Sequence, residues 1–452
     1  MARGRALELA GKNVVVAGLA ASGLAVAAFL VERGARVLAV DQKPLAELKG
    51  VAEALERLGV PFALQSAEAF AGADIIVISP GVPADIDELQ QARRRGIPVL
   101  GEVELAGWFL QGNTIGITGA NGKTTTTALA GHILKEAGVP VQVGGNIGRP
   151  VTAMIASSRP GQWNVLELSS FQLETIDHFR AHIGVCVNVT PDHLDRHHTF
   201  ENYAAAKGRL FETQQPGDFA VLNADDRTCT AYASRTRATP VWFSFTRASQ
   251  PGVYADASQV FYDGQPFLAV AEIPLRGRHN VENVMAAAAA AHLAGVPLEA
   301  IAAAVKTFPG VEHRIEFVRK LDGVDFYNDS KATNVDATQK AIDAFPGGLW
   351  IILGGKDKGS DYTVLREPLR QKAKAALLVG AAAPKIKAHL GDAVRLIDAG
   401  TIAEAVSAAW REATAGDTIL LAPACASFDQ FTGYEQRGRV FKELVRALEA
   451  RG

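Results

Sequence analysis

The segment Ile115-Gly116-Ile117-Thr118-Gly119-Ala120-Asn121-Gly122-Lys123-Thr124-Thr125 constrains this chain more than any other, because an apolar strand passes through a glycine-rich turn straight into a helix. The pattern predicts a strand from Thr114 to Thr118 and a helix from Thr124 to Ala137, stopped at Gly138. Such a succession makes a phosphate cradle. Glycines let backbone N–H groups approach phosphate oxygens, the helix adds its positive N-terminal end, Lys123 supplies a point charge, and the Thr124 hydroxyl sits where it can hold Mg²⁺. The spacing is G-x-x-G-K-T and departs from the common G-x-x-x-x-G-K-[ST], with Gly116 standing upstream on the strand.

A chain of 452 residues is long enough for about three domains, each with its own core. Hydrophobic residues make up 48% and charged residues 21%, which is the composition of a globular protein. A net charge of -2 gives no electrostatic reason to expect nucleic acid or an anionic membrane as a partner. Cys186, Cys229 and Cys425 are scattered along the chain and form neither a disulfide framework nor a C-x-x-C metal site, which suits a reducing cytoplasm. Met1 to Arg5 lead into a polar stretch without an apolar signal core, and no run of about 18 apolar residues marks a membrane helix, so a cytoplasmic location is expected.

The pattern divides the chain into residues 1–103, 104–310 and 311–452, an α/β protein with a small Rossmann-like domain on either side of a P-loop-type domain whose sheet is mostly parallel. In the first, strands Val14 to Ala17, Arg36 to Val40 and Ile75 to Ile78 alternate with a helix Gly23 to Glu32. Gly18-Leu19-Ala20-Ala21-Ser22-Gly23 followed by Asp41 is an incomplete dinucleotide fingerprint: Ala20 replaces the middle glycine that lets a pyrophosphate approach, which argues against nicotinamide. A turn that needs glycine only for packing, or one that holds the uridine diphosphate end of a substrate, both fit these residues.

In the middle segment a strand Asn164 to Leu173 is expected, with Glu167 at the end of its apolar part, placed either to share Mg²⁺ with a triphosphate or to cap the next helix; the phosphate loop in the same segment favours the metal. A strand Ile183 to Val189 then delivers Asn188 and Thr190-Pro191-Asp192-His193-Leu194-Asp195-Arg196-His197-His198. The histidines lack a zinc spacing, and Mg²⁺ prefers oxygen, so by residue type this is a polar loop after a strand. Lys207, on a helix Tyr203 to Leu210, reads as part of a solvated face.

These motifs, with Gly145-Asn146-Ile147-Gly148, Leu166-Glu167-Leu168-Ser169-Ser170-Phe171-Gln172 and Ala206-Lys207, stand in an order that resembles the Mur ligase family, ATP-dependent amide-forming enzymes of peptidoglycan synthesis. In the third segment His313-Arg314, Asn328-Asp329-Ser330-Lys331-Ala332-Thr333-Asn334, Gly354-Gly355-Lys356-Asp357-Lys358 and Leu421 to Phe431 resemble its D-glutamate-adding members. The resemblance spans nearly the whole chain. It implies that Gly119, Ala120, Asn121, Gly122, Lys123, Thr124 and Thr125 hold ATP, with Asn146 near adenine or phosphate-side groups, Asp329 on the ribose and Arg314 on the γ-phosphate. It implies two Mg²⁺ ions, one on Thr124 and Glu167, the other on His193 and a Lys207 carbamylated by CO₂, which turns an amine into an oxygen ligand.

Ser22, Asp41, Ser79 and Gly81 lie where the family holds uridine diphosphate, and Ser169, Gln172 and Asn188 where it lines the reacting centre. Lys331, Thr333, Lys358, Ser427 and Tyr434 resemble the pocket for incoming D-glutamate. The implied reaction joins D-glutamate to UDP-N-acetylmuramoyl-L-alanine through an acyl phosphate, releasing ADP and phosphate, by a monomer that uses neither nucleic acid nor membrane. Two positions depart from the family pattern: Lys356-Asp357-Lys358 replaces Asp-Gly-Lys, which leaves open the contacting lysine, and Tyr434 stands in place of phenylalanine.

Overall fold

The computed structural model describes residues 7–246 and 252–450; Met1 to Arg5, expected to carry no signal core, lie outside them. It contains three sheets, each mostly or wholly parallel. The chain divides into two compact units, one of Met1–Glu272 with Glu282–Phe308, the other of Ile273–Val281 with Pro309–Gly452.

The first unit holds two sheets. Strands β1 (Asn13–Ala17), β2 (Arg36–Asp41), β3 (Phe62–Leu64), β4 (Ile75–Ile78) and β5 (Val99–Gly101) form a parallel sheet in the order β3-β2-β1-β4-β5. Its order reverses at β1, so the crevice beyond the carboxyl ends of β1 and β4 is where such a sheet takes a ligand. Gly18 and Gly23 lie there. A Cβ on Gly23 would fall 1.9 Å from the Gly18 carbonyl oxygen, so this glycine is required by the packing of the helix Ala21–Glu32 on the turn.

The second sheet has nine strands: β6 (Asn113–Thr118), β7 (Val141–Gly145), β8 (Trp163–Glu167), β9 (Ile183–Cys186), β10 (Phe219–Asn223), β11 (Thr239–Ser244), β12 (Gly252–Ala255), β13 (Gln259–Tyr262) and β14 (Gln265–Ala269). In the order β14-β13-β12-β11-β10-β9-β6-β8-β7 the strands from β7 to β12 run parallel, and only β12-β13-β14 is antiparallel. Strand β6 sits between β8 and β9, again at a reversal, and the helix Lys123–Glu136 follows it. Ile117 pairs with Glu167 and Thr118 with Cys186, so the ends of β8 and β9 flank the glycine-rich turn.

Two expected strands are shorter than the sequence suggests. The run Asn164 to Leu173 leaves the sheet after Glu167 and becomes a helix, Ser170–Leu173, because Ser169 and Gln172 form a reciprocal capping box that captures the backbone. The run Ile183 to Val189 leaves it after Cys186, and the Val187 N–H still donates to the Thr118 carbonyl.

The second unit contains β15 (Glu316–Leu321), β16 (Val324–Asn328), β17 (Leu349–Gly354), β18 (Ala373–Val379), β19 (Leu396–Gly400) and β20 (Thr418–Leu421), ordered β15-β16-β20-β17-β18-β19. The pair β15-β16 is antiparallel and the rest parallel. Apolar residues cover both faces: Leu349, Ile351 and Leu353 on one, Trp350 and Ile352 on the other. A strand buried on both sides needs a continuous apolar run, which is what the sequence of β17 provides.

Candidate active site

The turn after β6 is built from glycines and clasped by one asparagine. Gly119 has φ +148° and Gly122, the N-cap of the helix Lys123–Glu136, has φ +89°. The Ala120 N–H donates to the Asn188 carbonyl (2.8 Å), the Asn121 N–H donates to Asn188 Oδ1 (2.9 Å), and Asn188 Nδ2 donates back to the Asn121 carbonyl (2.9 Å). Asn188, expected to line the reacting centre, therefore fixes the shape of the loop and commits two of its amides inside the protein. Gly122 is also closely approached: a Cβ there would lie 2.2 Å from Asn283 Oδ1. Sequence reading passed over Asn283. Its buried amide on the alanine-rich helix Arg278–Leu293, three residues after Asn280, was the available signal.

Two lysines converge on a single carbonyl of this loop. Lys123 Nζ donates to the Gly119 carbonyl (2.8 Å) and to that of Ala120 (2.9 Å), while Lys207 Nζ donates to the same Gly119 carbonyl (2.8 Å). The reading of Lys207 as a solvated residue is corrected by its exposure of 1%. The helix Phe200–Glu212 turns Tyr203, Lys207, Leu210 and Phe211 inward together, so the lysine shares the apolar face. Burial, and then the neighbouring charge of Lys123, push its amine down to about 7.

Glu167 ends β8 beside this cradle and is buried. Its Oε1 accepts from Asn146 Nδ2 (2.8 Å), and its carbonyl accepts from the Asn146 N–H (2.8 Å). The following helix is capped by Ser169, so the capping role considered for Glu167 is not its role. Oε2 is buried without a hydrogen-bond partner, an arrangement that a hard cation would complete. Thr124, in the first turn of the loop helix, is buried as well.

His193 has φ +52° and packs edge-on against the Phe171 ring, 4.9 Å between centroids. Among the described residues no group of three or more His, Cys, Asp and Glu side chains is gathered as a metal site, so Thr124, Glu167 and Lys207 border the loop without a ready-made acidic cage. Ser169 and Gln172 are engaged with each other: Ser169 N–H and Oγ both donate to Gln172 Oε1, at 2.9 and 3.0 Å. The histidine-rich segment is not simply a polar loop, since His197 is buried. Burial, followed by the charges of His193, Lys207 and Arg196, lowers its ring to about 4. Cys186 and Cys229, scattered in sequence, meet with sulfurs 3.4 Å apart and remain free thiols.

At the reversal of the first sheet, Ser79 Oγ donates to the Gly18 carbonyl (2.6 Å). Asp41 accepts the Leu19 N–H at one oxygen (2.9 Å) and the Lys43 N–H at the other (3.0 Å). Both side chains hold the two loops in place. Ser22 is half-buried and Gly81 exposed beside them.

In the second unit the expected residues lie beyond the carboxyl ends of β16, β17 and β20. Asp329 is buried, its Oδ1 has no hydrogen-bond partner, and burial raises its carboxyl to about 6 against the opposing charge of Arg314. Lys331 Nζ stands 5.3 Å from the centre of the Tyr434 ring, within cation–π range, and the Thr333 N–H donates to the Lys331 carbonyl (2.8 Å). Ser427 is buried, whereas Lys356 and Lys358 are both exposed. Between them Asp357 accepts from Tyr362 Oη and Lys385 Nζ, each at 2.7 Å. Burial alone would raise the Asp357 carboxyl, but these donors and two backbone N–H groups hold it down at about 2.

Arg437 was not singled out by sequence. It is 1% exposed and its partners are oxygens of the loops that carry the expected pocket, with no carboxylate among them. Nε donates to Ser330 Oγ (3.0 Å), Nη2 to the Ser330 carbonyl (2.8 Å) and to that of Cys425 (3.1 Å), and Nη1 to the carbonyls of Cys425 (3.1 Å) and Ala426 (3.3 Å). Ser330 Oγ in turn donates to the Tyr434 carbonyl (2.8 Å). Only the meeting of the loops distinguishes this arginine from the other basic residues of the helix Tyr434–Ala447.

Three family models match the chain in succession: the Mur ligase MurD-like N-terminal domain over residues 12–101, the Mur ligase middle domain over 117–291 and the Mur ligase glutamate ligase domain over 313–425. The UDP-N-acetylmuramoylalanine–D-glutamate ligase of Solibacter usitatus is 64% identical over 443 residues, covering 98% of this chain and 99% of its own. The same-named protein of Acidobacterium capsulatum is 53% identical, with 98% and 97% covered. Among solved structures, the UDP-N-acetylmuramate–alanine ligase MurC of Thermotoga maritima shares the fold, with a TM-score of 0.61 at 18% identity and 96% and 99% covered.

Proposed function

This chain belongs to the Mur ligase family, and from that premise we propose that it joins D-glutamate to UDP-N-acetylmuramoyl-L-alanine, driven by ATP and yielding ADP and phosphate. The observation that carries the reading is the convergence of Lys123 and Lys207 on the Gly119 carbonyl within a glycine turn at a sheet reversal. Lys123 at this glycine turn makes a cradle for anions, and the buried Lys207 amine beside it serves the metal once carbamylated. A triphosphate supplies the anions, and the N-terminus of the helix Lys123–Glu136 adds to the attraction.

The substrate carboxylate is a poor electrophile. Its attack on the γ-phosphate gives an acyl phosphate and ADP; the D-glutamate amine then adds to the acyl carbon, loses its proton and expels phosphate. Lys123 neutralises charge that builds on the phosphoryl oxygens, and Arg314, whose planar fork suits phosphate, is the residue that the family resemblance assigns to the γ-phosphate. Thr124, Glu167, His193 and Lys207 fit as holders of Mg²⁺, which when bound would screen the triphosphate and polarise its γ-phosphoryl group. Glu167 Oε2, buried without a hydrogen-bond partner, supports this assignment. Lys207 suits carbamylation, because its buried position beside Lys123 favours the uncharged amine that attacks CO₂.

Asn188 keeps the loop in shape, and Ser79 and Asp41 shape the crevice for the uridine diphosphate end. In the second unit Lys331, Thr333, Ser427 and Tyr434 would bind the dianionic D-glutamate, with Lys358 at the rim and Asp329 on the nucleotide ribose. The decisive assay is phosphate release from ATP and Mg²⁺ with UDP-N-acetylmuramoyl-L-alanine and a panel of L- and D-amino acids. Release that requires both the nucleotide precursor and D-glutamate supports the proposal. A preference for another acceptor would overturn the second-unit assignment, and absence of release with every pair would overturn the ligase mechanism.

A further inference from the structure

His197 touches two side chains that lead to His193 and Lys207, residues placed on different elements. Its ring stacks on Phe171 (5.3 Å, 9°), and the edge of Phe171 carries His193 (4.9 Å). On its other side His197 meets Tyr203 edge to face (5.3 Å), and Lys207 Nζ lies 4.5 Å from the centre of the Tyr203 ring. The run His193–Phe171–His197–Tyr203–Lys207 is thus one continuous packed column with His197 at its middle.

The ring is locked at both nitrogens. Ser170 Oγ lies 2.9 Å from Nε2 and Glu174 Oε1 3.2 Å from Nδ1, the arrangement of a neutral imidazole that donates to the carboxylate and accepts the serine proton. The backbone is locked too: the His197 carbonyl accepts from Asn202 Nδ2 (3.0 Å) and from the Thr199 N–H (2.8 Å), and its N–H donates to the His193 carbonyl (3.0 Å). Such anchoring has a physical reason. The one-turn helix Leu194–His197 is bounded by His193 at φ +52° and His198 at φ +67°, two non-glycine residues in the left-handed region that a side chain with a Cβ disfavours. A segment strained at both ends holds its geometry only where its surroundings impose it.

Ser170, His197 and Glu174 have the connectivity of a nucleophile, base and orienting acid. Ser170, however, is 2% exposed and closed to a substrate, so what this relay conveys is position. We propose that His197 is a positioning residue that sets His193, through Phe171, and Lys207, through Tyr203, at the mutual spacing needed to share one Mg²⁺. The proposal rests on the reading of His193 and Lys207 as ligands of that ion. Partners that orient metal ligands typically change metal affinity about 10- to 100-fold when lost.

The test compares the unmodified protein with His197→Leu, His197→Gln and Ser170→Ala. For each, four quantities are measured: the Mg²⁺ concentration for half-maximal turnover, the KM for ATP, the thermal midpoint, and the ¹³C carbamate signal of Lys207 in ¹³C-bicarbonate. His197→Leu should raise the half-saturating Mg²⁺ by about tenfold or more and weaken the carbamate signal, with KM for ATP changed less than about twofold. Ser170→Ala should shift both in the same direction by less, and His197→Gln, which can satisfy one partner, should recover part of the loss. If the thermal midpoint falls while Mg²⁺ dependence and carbamate signal stay at the parent values in both His197→Leu and Ser170→Ala, His197 is structural only and the proposal is overturned. If the parent itself shows no carbamate signal, the underlying ligand reading fails first, and the proposal with it.

Discussion

Replacing Arg437 with methionine is the sharpest test of how the second unit holds the loops proposed to bind D-glutamate. The guanidinium makes five hydrogen bonds inside the protein, all to uncharged oxygens. Methionine keeps most of the volume, so the effect is one of polar groups and not of a large cavity. The Ala426 carbonyl keeps the Lys356 N–H as a donor (2.8 Å), which leaves the carbonyls of Ser330 and Cys425 as the ones deprived by the change. At about 1–3 kcal/mol for each buried polar group left unmade, the loss is about 2–6 kcal/mol. Removing a buried charge that has no carboxylate partner returns part of it, so the expected net destabilisation is roughly 3 kcal/mol.

For a unit of this size about 2–4 °C of thermal midpoint accompany each kcal/mol, which puts the shift near 6–12 °C. Because Ser330 and the Cys425–Ala426 turn adjoin Lys331, Tyr434 and Ser427, the KM for D-glutamate should rise while the KM for ATP stays near the parent value. Arg437→Lys should lie between, since one ammonium cannot span Ser330 and Cys425 as the planar fork does. Scanning calorimetry and initial rates with varied D-glutamate measure both effects. A thermal midpoint within about 2 °C of the parent, together with an unchanged D-glutamate KM, would refute the reasoning.

Gly122→Ala should strain the loop by about 1–2 kcal/mol from its positive φ alone, and its Cβ displaces Asn283; isothermal titration with a non-hydrolysable ATP analogue should show weaker binding. Lys123→Ala should lower ATP-dependent turnover roughly 10²–10³-fold, and retained turnover would remove this lysine from the mechanism. Asp357→Asn tests an electrostatic contribution by its pH dependence. The folded carboxyl is held at about 2, below its usual value near 3.8, so its stabilisation is present above about pH 4 and is lost as pH falls toward 2. With the side chain partly exposed, the variant should be less stable by about 1 kcal/mol at pH 7, a gap in urea midpoint that narrows below pH 4.

The glycine turn with Lys123, the alternation of strands and helices, and the order of motifs were legible because each depends on local chemistry. Glycine supplies φ +89° at residue 122, continuous apolar runs make doubly covered strands, and a strand–turn–helix is a contiguous piece of chain. The capping box that ends β8 was also present as Ser169 and Gln172, but apolar residues around it, Val165, Leu166 and Leu168 before Ser169 and Phe171 and Leu173 after it, hide the point where backbone capture outweighs strand pairing. Lys207, His197, Asn188, Asn283 and Arg437 were a different matter. Their roles depend on partners up to 157 residues away, as for Asn283 and Thr126, and on which face of a helix turns inward. Composition marks a lysine as solvated and an arginine as exposed because burial of a charge is costly. Only the tertiary structure, by bringing the Gly119 carbonyl to Lys207 and four loop oxygens to Arg437, supplies the hydrogen bonds that make such burial possible.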